Sequence, residues 1–397
     1  YVYADWLHAP GKPTILLYAH HDVQPPGREH LWKTPPFEPI ERDGRLWGRG
    51  TADDKAGIIV HTAAIASYLE AFGKLPLNVK LIIEGEEEAG STHLSEFLQK
   101  YKTKLKADAM ILTDTQNFDV GLPALTTSLR GLLTFDLEVR ALNSPKHSGM
   151  WGGPTPDPAN AMAKILASMT DEAGRLCVPG IWDEVRAVSE KEAAAYAELS
   201  YTIPEFRAQA GLLPDSHALP AHDGTVKPLI QMWREPSFAI NAVEISSRAR
   251  AANAIMDSAW ARIGVRIVAD MNPQKTAKLV ENHIKRVAPW GVEVEIKTDI
   301  GGPAWGTDPF SSLNREAYEA AVKAMELGYG KKPVFMGCGG SIPFVEPLAE
   351  ALGGVPALLI GVEDPYTNAH SENESMVIAD FYSAIKSAIH FYSIYGR

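Results

Sequence analysis

The chain of 397 residues has only two cysteines, Cys177 and Cys338, which argues against a disulfide framework or a thiolate metal site and points to a reducing setting. Positive charge is also scarce. Lys and Arg total 38 against 49 Asp and Glu, and the net charge of -11 argues against nucleic acid or an anionic membrane surface as partner. No apolar run approaches the roughly 20 residues needed to cross a bilayer, and no secretory leader is visible. An initiator methionine is lacking too. The sequence opens at Tyr1 and reaches an apolar run at Thr14, so a native amino-terminal segment is expected to precede it. Cytoplasmic localisation is the default that these absences leave.

What is present is globular in composition, 45% hydrophobic and 22% charged, and long enough to predict two domains. The stretch TILLYAHHDVQPP, residues 14–26, is an apolar run that ends in two histidines and an aspartate. A run of this kind suits a strand buried on both faces, and open parallel sheets bind ligands beyond the carboxyl ends of their strands. His20 and Asp22 share a face at that end, where a carboxylate can orient an imidazole, while His21 points away. A glycine-rich loop, LWGRGTADDKAG, then leads into a helix expected over 55–72, with Asp53 and Asp54 at its start. For either aspartate alone the plain reading is a helix cap that complements the dipole.

LNVKLIIEGEEEAGS carries Glu84, Glu86, Glu87 and Glu88 at the end of a second apolar run. Carboxylates so crowded raise one another's pKa values unless a cation sits among them. A helix capped by Ser91 and a third strand ending at Asp114 follow. Strand, helix, strand, helix, strand implies right-handed crossovers and a mostly parallel, doubly wound α/β sheet.

From Arg130 the pattern changes to strict alternation, as in an antiparallel sheet with one wet face. Strand, helix, strand, strand, helix, strand over 130–298 predicts an inserted ferredoxin-like α+β domain, interrupted over 171–235 by a segment with helical pieces. His147 in a Ser-Pro-Gly loop, Asn241 in an apolar strand and Arg266, which interrupts the apolar side of IGVRIVA, are its polar candidates. Residues 1–129 and 299–397 are expected to form the discontinuous first domain. Its second half offers a turn, Gly339, Gly340 and Ser341, with donors for an anion. It also holds a buried strand over 356–361 followed by His370, and a Ser371/Glu374 pattern spaced to cap the last helix.

His20, Asp53, Glu88, Asp114 and His370 make a nitrogen and oxygen donor set that suits zinc and also accommodates manganese or cobalt. Five such side chains serve two ions if one carboxylate bridges. Two ions about 3.5–4 Å apart activate a shared water, and Glu87, free of ligand duty, is the candidate general base and acid.

The motifs AHHDVQPPG, GRGTADDKAG, EGEEEAGS, LTD, HSG, GGSIP and NAHSENE, in that order across almost the whole chain, resemble a di-metal peptidase family. It includes carnosinase, Cys-Gly dipeptidase, aminoacylase, glutamate carboxypeptidase and succinyl-diaminopimelate desuccinylase, and HDVQPP with GGSIP is most similar to the carnosinase and Cys-Gly dipeptidase branch. The resemblance implies that Asp53 bridges, with His20 and Asp114 on one ion and Glu88 and His370 on the other, Asp22 supporting His20, and Glu87 as base. It implies that His147 stabilises the oxyanion in a partner's site within a homodimer built through the inserted lid domain. Asn241 would touch substrate, and Arg266, Gly340 and Ser341 would hold its carboxylate. His21 and Ala19 depart from the family's usual tyrosine and glycine, most of its amino-terminal helical region is absent from this sequence, and Glu86 adds a third consecutive acid. The expectation is a metal-dependent hydrolase of dipeptides or short peptides with a free carboxylate. The alternative is an N-acyl amino acid amidohydrolase using the same machinery.

Overall fold

The computed structural model describes residues 1–342 and 344–397. Pro343, the last residue of the GGSIP motif, lies outside them. The chain divides into two compact units: residues 1–127, 307–338 and 343–397, and residues 128–306 with 339–342.

In the first unit, the strands Asn78–Glu84, Thr14–His20, Ala109–Leu112 and Ala357–Leu359 lie side by side in that order and run parallel. Antiparallel strands flank them, Val2–Trp6 on one side and Ala124–Leu129 on the other. The sheet is thus mixed, with the expected parallel set at its centre. Both faces are covered. Ile15, Leu17, Ile111 and Leu358 pack in one cluster with Val60 and Ala64 of the helix Lys55–Phe72, Ala321 of Arg315–Tyr329 and Tyr392 of Ile378–Tyr395. Tyr18, of opposite parity to Leu17 and therefore on the other face, stacks on Phe344 at 3.8 Å, just before the helix Val345–Ala351. Burial on both faces is why these strands read as unbroken apolar runs.

The second unit holds a four-stranded antiparallel sheet in the order Ser237–Glu244, Ser258–Ile267, Gly131–Arg140, Glu293–Gly302. With the helices Pro158–Ala167 and Pro273–Val287 between strands, this is the ferredoxin-like arrangement. Leu133, Phe135, Leu137 and Val139 meet both helices in the core, and the polar residues between them face outward. The segment over 171–235 contributes three short helices, two of them opened by capping boxes, Ser189 with Glu192 and Thr202 with Glu205.

Four local expectations need correction. The boundary at 298/299 falls inside a strand that runs on to Gly302, so the chain crosses between units at 306/307 instead, and Gly339–Ile342 groups with the second unit. Ser91 caps nothing, because it is left-handed at φ 49 after the left-handed Gly90, and the helix starts at Leu94. Ser371 and Glu374 do not open a helix: Ser375–Val377 is a strand paired with Arg45–Trp47, and Glu374 turns inward. Arg266 does not interrupt the apolar side of its strand, since Ile263, Val265 and Ile267 are buried while it stands on the open face.

Candidate metal centre

Parallel pairing in register aligns the carboxyl ends of three neighbouring strands. His20 is opposite Glu84, and Tyr18 is opposite Leu112, two residues before Asp114. The loop before the helix Lys55–Phe72 brings Asp53 to the same end, and the loop after Ala357–Leu359 brings His370, held at φ 59. Two clusters result, His20 with Asp53 and Asp114, and Asp53 with Glu88 and His370. One carboxylate oxygen of Asp53 lies 3.1 Å from His20 Nε2 and the other 3.0 Å from His370 Nε2. Asp114 is 3.5 Å from His20 Nε2, and Glu88 is 3.3 Å from His370 Nε2.

The surroundings fix each of these groups. His20 Nδ1 donates to the Asp22 carbonyl at 3.1 Å, which turns Nε2 toward Asp53 and Asp114. The Asp22 carboxylate is 3.4 Å from that ring and accepts instead from the backbone N–H of Glu87 (3.3 Å) and Glu88 (2.9 Å). Asp22 therefore orients the histidine through its carbonyl and the acidic turn through its carboxylate. Gln24, to which the sequence drew no attention, donates from its backbone and side chain to the two oxygens of Glu88, at 3.2 and 2.7 Å. Glu84 joins neither cluster, because its oxygens accept from the Tyr18 and Tyr1 hydroxyls. Glu86 turns to His93. Glu87 gives no atom to either cluster.

Charge is unbalanced at this spot. Asp53, Glu87, Glu88 and Asp114 converge with two imidazoles as the facing cations of the clusters. Burial and then Asp114 push Glu87 up to about 8, and burial lifts Asp114 to about 6 although His20 lies beside it. The bond to Asp53 raises His370 to about 9. Burial pulls His20 down, but Asp114 and Asp53 outweigh it and hold its pKa far above the usual imidazole value. His20 Nε2 is nonetheless buried with no properly directed hydrogen bond, although two carboxylates lie within 3.5 Å. Nitrogen and oxygen atoms gathered within 4.8 Å of one another, with negative charge in excess, fit divalent cations.

The remaining candidates lie in the second unit. His147 is exposed, and its Nδ1 accepts from the Gly149 N–H at 3.1 Å. Asn241 sits where the register slips between Ile240 and Ala242, and such a bulge re-aims a side chain. It shares a cavity of about 520 Å³ on the open face of the sheet with Ser237, Arg262 and Arg266. Arg266 donates to the Ser341 hydroxyl at 2.9 Å, and the Gly340 carbonyl accepts from the Arg130 N–H.

Residues 16–393 match the peptidase family M20/M25/M40. The chain belongs to this family. A cysteinylglycine-S-conjugate dipeptidase of Corynebacterium striatum is 33% identical over 389 residues, which cover 97% of this chain and 82% of that protein. Human carnosine dipeptidase 1 superposes with a TM-score of 0.81 at 27% identity, covering 99% of this chain and 82% of its own. An M20 metallo-carboxypeptidase of Sulfolobus solfataricus superposes at 0.86 and 27% identity, with 99% and 87% covered. As a member of the M20 family this chain is a metal-dependent peptidase, and the two clusters are where its side chains could hold divalent ions.

Proposed function

We propose that this chain hydrolyses the peptide bond of a dipeptide or short peptide with a free carboxyl terminus, with two divalent ions, zinc by preference, held by His20, Asp53, Asp114, Glu88 and His370. The observation that carries the reading is Asp53, whose two oxygens address two separate histidines and so join two ligand groups through one side chain. The donor set is nitrogen and oxygen without sulfur, which suits zinc and also accepts manganese or cobalt. Ions bound there supply Lewis acidity to water and to the scissile carbonyl.

The chain's own groups do the rest. Glu87 is half-buried and free of ligand duty, so as a carboxylate it takes a proton from water and returns it to the leaving amine. Asp22 and Gln24 hold the turn that carries Glu87 and Glu88. Arg266 with Ser341 and Gly340 receives the substrate carboxylate, Asn241 contacts the substrate, and His147 stabilises the oxyanion in the site of a partner subunit. Two cysteines with no disulfide between them suit a cytoplasmic enzyme. A panel of unblocked dipeptides, longer peptides and N-acyl amino acids tests the reading. Dipeptides should turn over fastest, and cleavage of the acylated set alone would replace the dipeptidase with an amidohydrolase.

A further inference from the structure

Glu374 is fully buried and takes no part in either cluster, yet its carboxylate accepts four donors. Oε1 accepts from the backbone N–H of Ala52 (3.1 Å) and Asp53 (3.2 Å). Oε2 accepts from the N–H of Gly50 (3.0 Å) and from Arg49 Nη1 (2.6 Å). The second Arg49 nitrogen, Nη2, donates to the Ser371 carbonyl at 3.0 Å and to the Pro25 carbonyl at 3.2 Å. Three loops therefore meet on one buried ion pair: the loop after His20, the loop that presents Asp53, and the loop that presents His370.

A buried pair of this kind is costly to desolvate and is weak evidence for stability alone, so its partners deserve a functional reading. Here the backbone N–H groups it binds end at Asp53, the residue shared by both clusters. His370 is the more exposed of the two histidines. His20 is fully buried on a central strand, whereas the His370 side chain is 60% exposed on a loop with left-handed residues at 368, 370 and 373. That loop is tied down at its far end by the strand Ser375–Val377 and by Arg28 on Glu372, and the Arg49–Glu374 pair is the buried tie that links it to the loop bearing Asp53.

We propose that Glu374, paired with Arg49, is a positioning residue that sets the spacing between Asp53 and His370 and thereby the affinity of the Asp53, Glu88 and His370 cluster for its divalent ion. The inference rests on the metal-centre reading above. Outer-shell partners of metal ligands typically change affinity by about 10- to 100-fold when replaced.

The test is zinc titration by calorimetry, with metal content measured after dialysis, on the metal-free wild type, Glu374→Gln and Glu374→Asp. Circular dichroism checks that each variant folds. The wild type should bind two ions. Glu374→Gln should bind one as tightly as the wild type and the other at least about tenfold more weakly. Glu374→Asp, which keeps the charge but shortens the reach, should weaken that same ion by a smaller factor, and it carries the test if Glu374→Gln does not fold. Two unchanged affinities in a folded variant would overturn the positioning role and leave the metal centre standing. A folded wild type that takes up no divalent ion would overturn the metal-centre reading, and the inference with it.

Discussion

At the scale of single residues, Glu87 is the side chain whose removal separates ligation from chemistry. It gives no atom to either cluster, so Glu87→Gln should keep its divalent metal content while kcat falls by about 10²- to 10⁴-fold, the usual contribution of general acid-base catalysis. Metal analysis alongside steady-state kinetics on one preparation checks this. His61 supplies a second test. Burial holds its pKa down at about 4, and its Nε2 faces the Tyr18 carbonyl at 3.1 Å. Below pH 6.5 the unfolded chain therefore gains a proton that the folded chain refuses until about pH 4. Stability present above pH 6.5 is lost as pH falls through that window, by about 2 kcal/mol at pH 5. Urea unfolding of metal-free wild type and His61→Gln at pH 7.5 and 5 should show the difference between the two changing by that amount.

At the scale of elements, the helix Lys55–Phe72 is set against the strand end that carries Asp114. A Cβ on Gly57 would stand 2.0 Å from Thr113 Oγ1 and 2.3 Å from Asp54 Oδ1. Alanine in an exposed helix interior usually gains up to about 1 kcal/mol over glycine, but overpacking of this severity costs about 1–3 kcal/mol and should win. Gly57→Ala is thus expected to lower the Tm, read by calorimetry, and to cut turnover through displacement of Thr113 next to Asp114. The same helix shows what was legible in the sequence. Its ends at 55 and 72, and those of Pro273–Val287, follow from apolar periodicity and turn residues at their borders. The strand ends bearing His20 and Asp114 were legible because burial on both faces leaves an unbroken apolar run that stops where polar chemistry begins. Ser371 and Glu374 show what was not. Their spacing matches a capping box, but the acceptor of Arg49 lies 325 positions away, and only tertiary packing reveals it. Gln24 likewise has an ordinary loop sequence around it, and its role comes from a carboxylate 64 residues on. The strands Ile40–Arg42 and Arg45–Trp47 have no apolar run to announce them, because the small sheet they make with Ser375–Val377 is assembled from distant parts of the chain.

At the scale of the whole molecule, the two units follow different economies of burial. The first has a sheet covered on both faces, the second a sheet with one face open, and the ferredoxin-like order of the second was readable from the succession of its strands and helices. Among the described residues no helix is long and apolar enough to cross a membrane. The proposed homodimer predicts sedimentation at twice the 43.2 kDa chain mass, and a fully active monomer would remove His147 from the mechanism. Chelation should lower the Tm reversibly. A ligand present at 1,000 times its Kd stabilises the folded state by about 4 kcal/mol, and differential scanning across a zinc series should show that dependence.

The crowd of carboxylates around Asp53 also has a physiological side. A newly made chain that finds no cation must close this corner against its own repulsion, so the unloaded protein opens more often and offers itself to proteases. Its abundance in a cell starved of divalent ions should fall before any change in its synthesis.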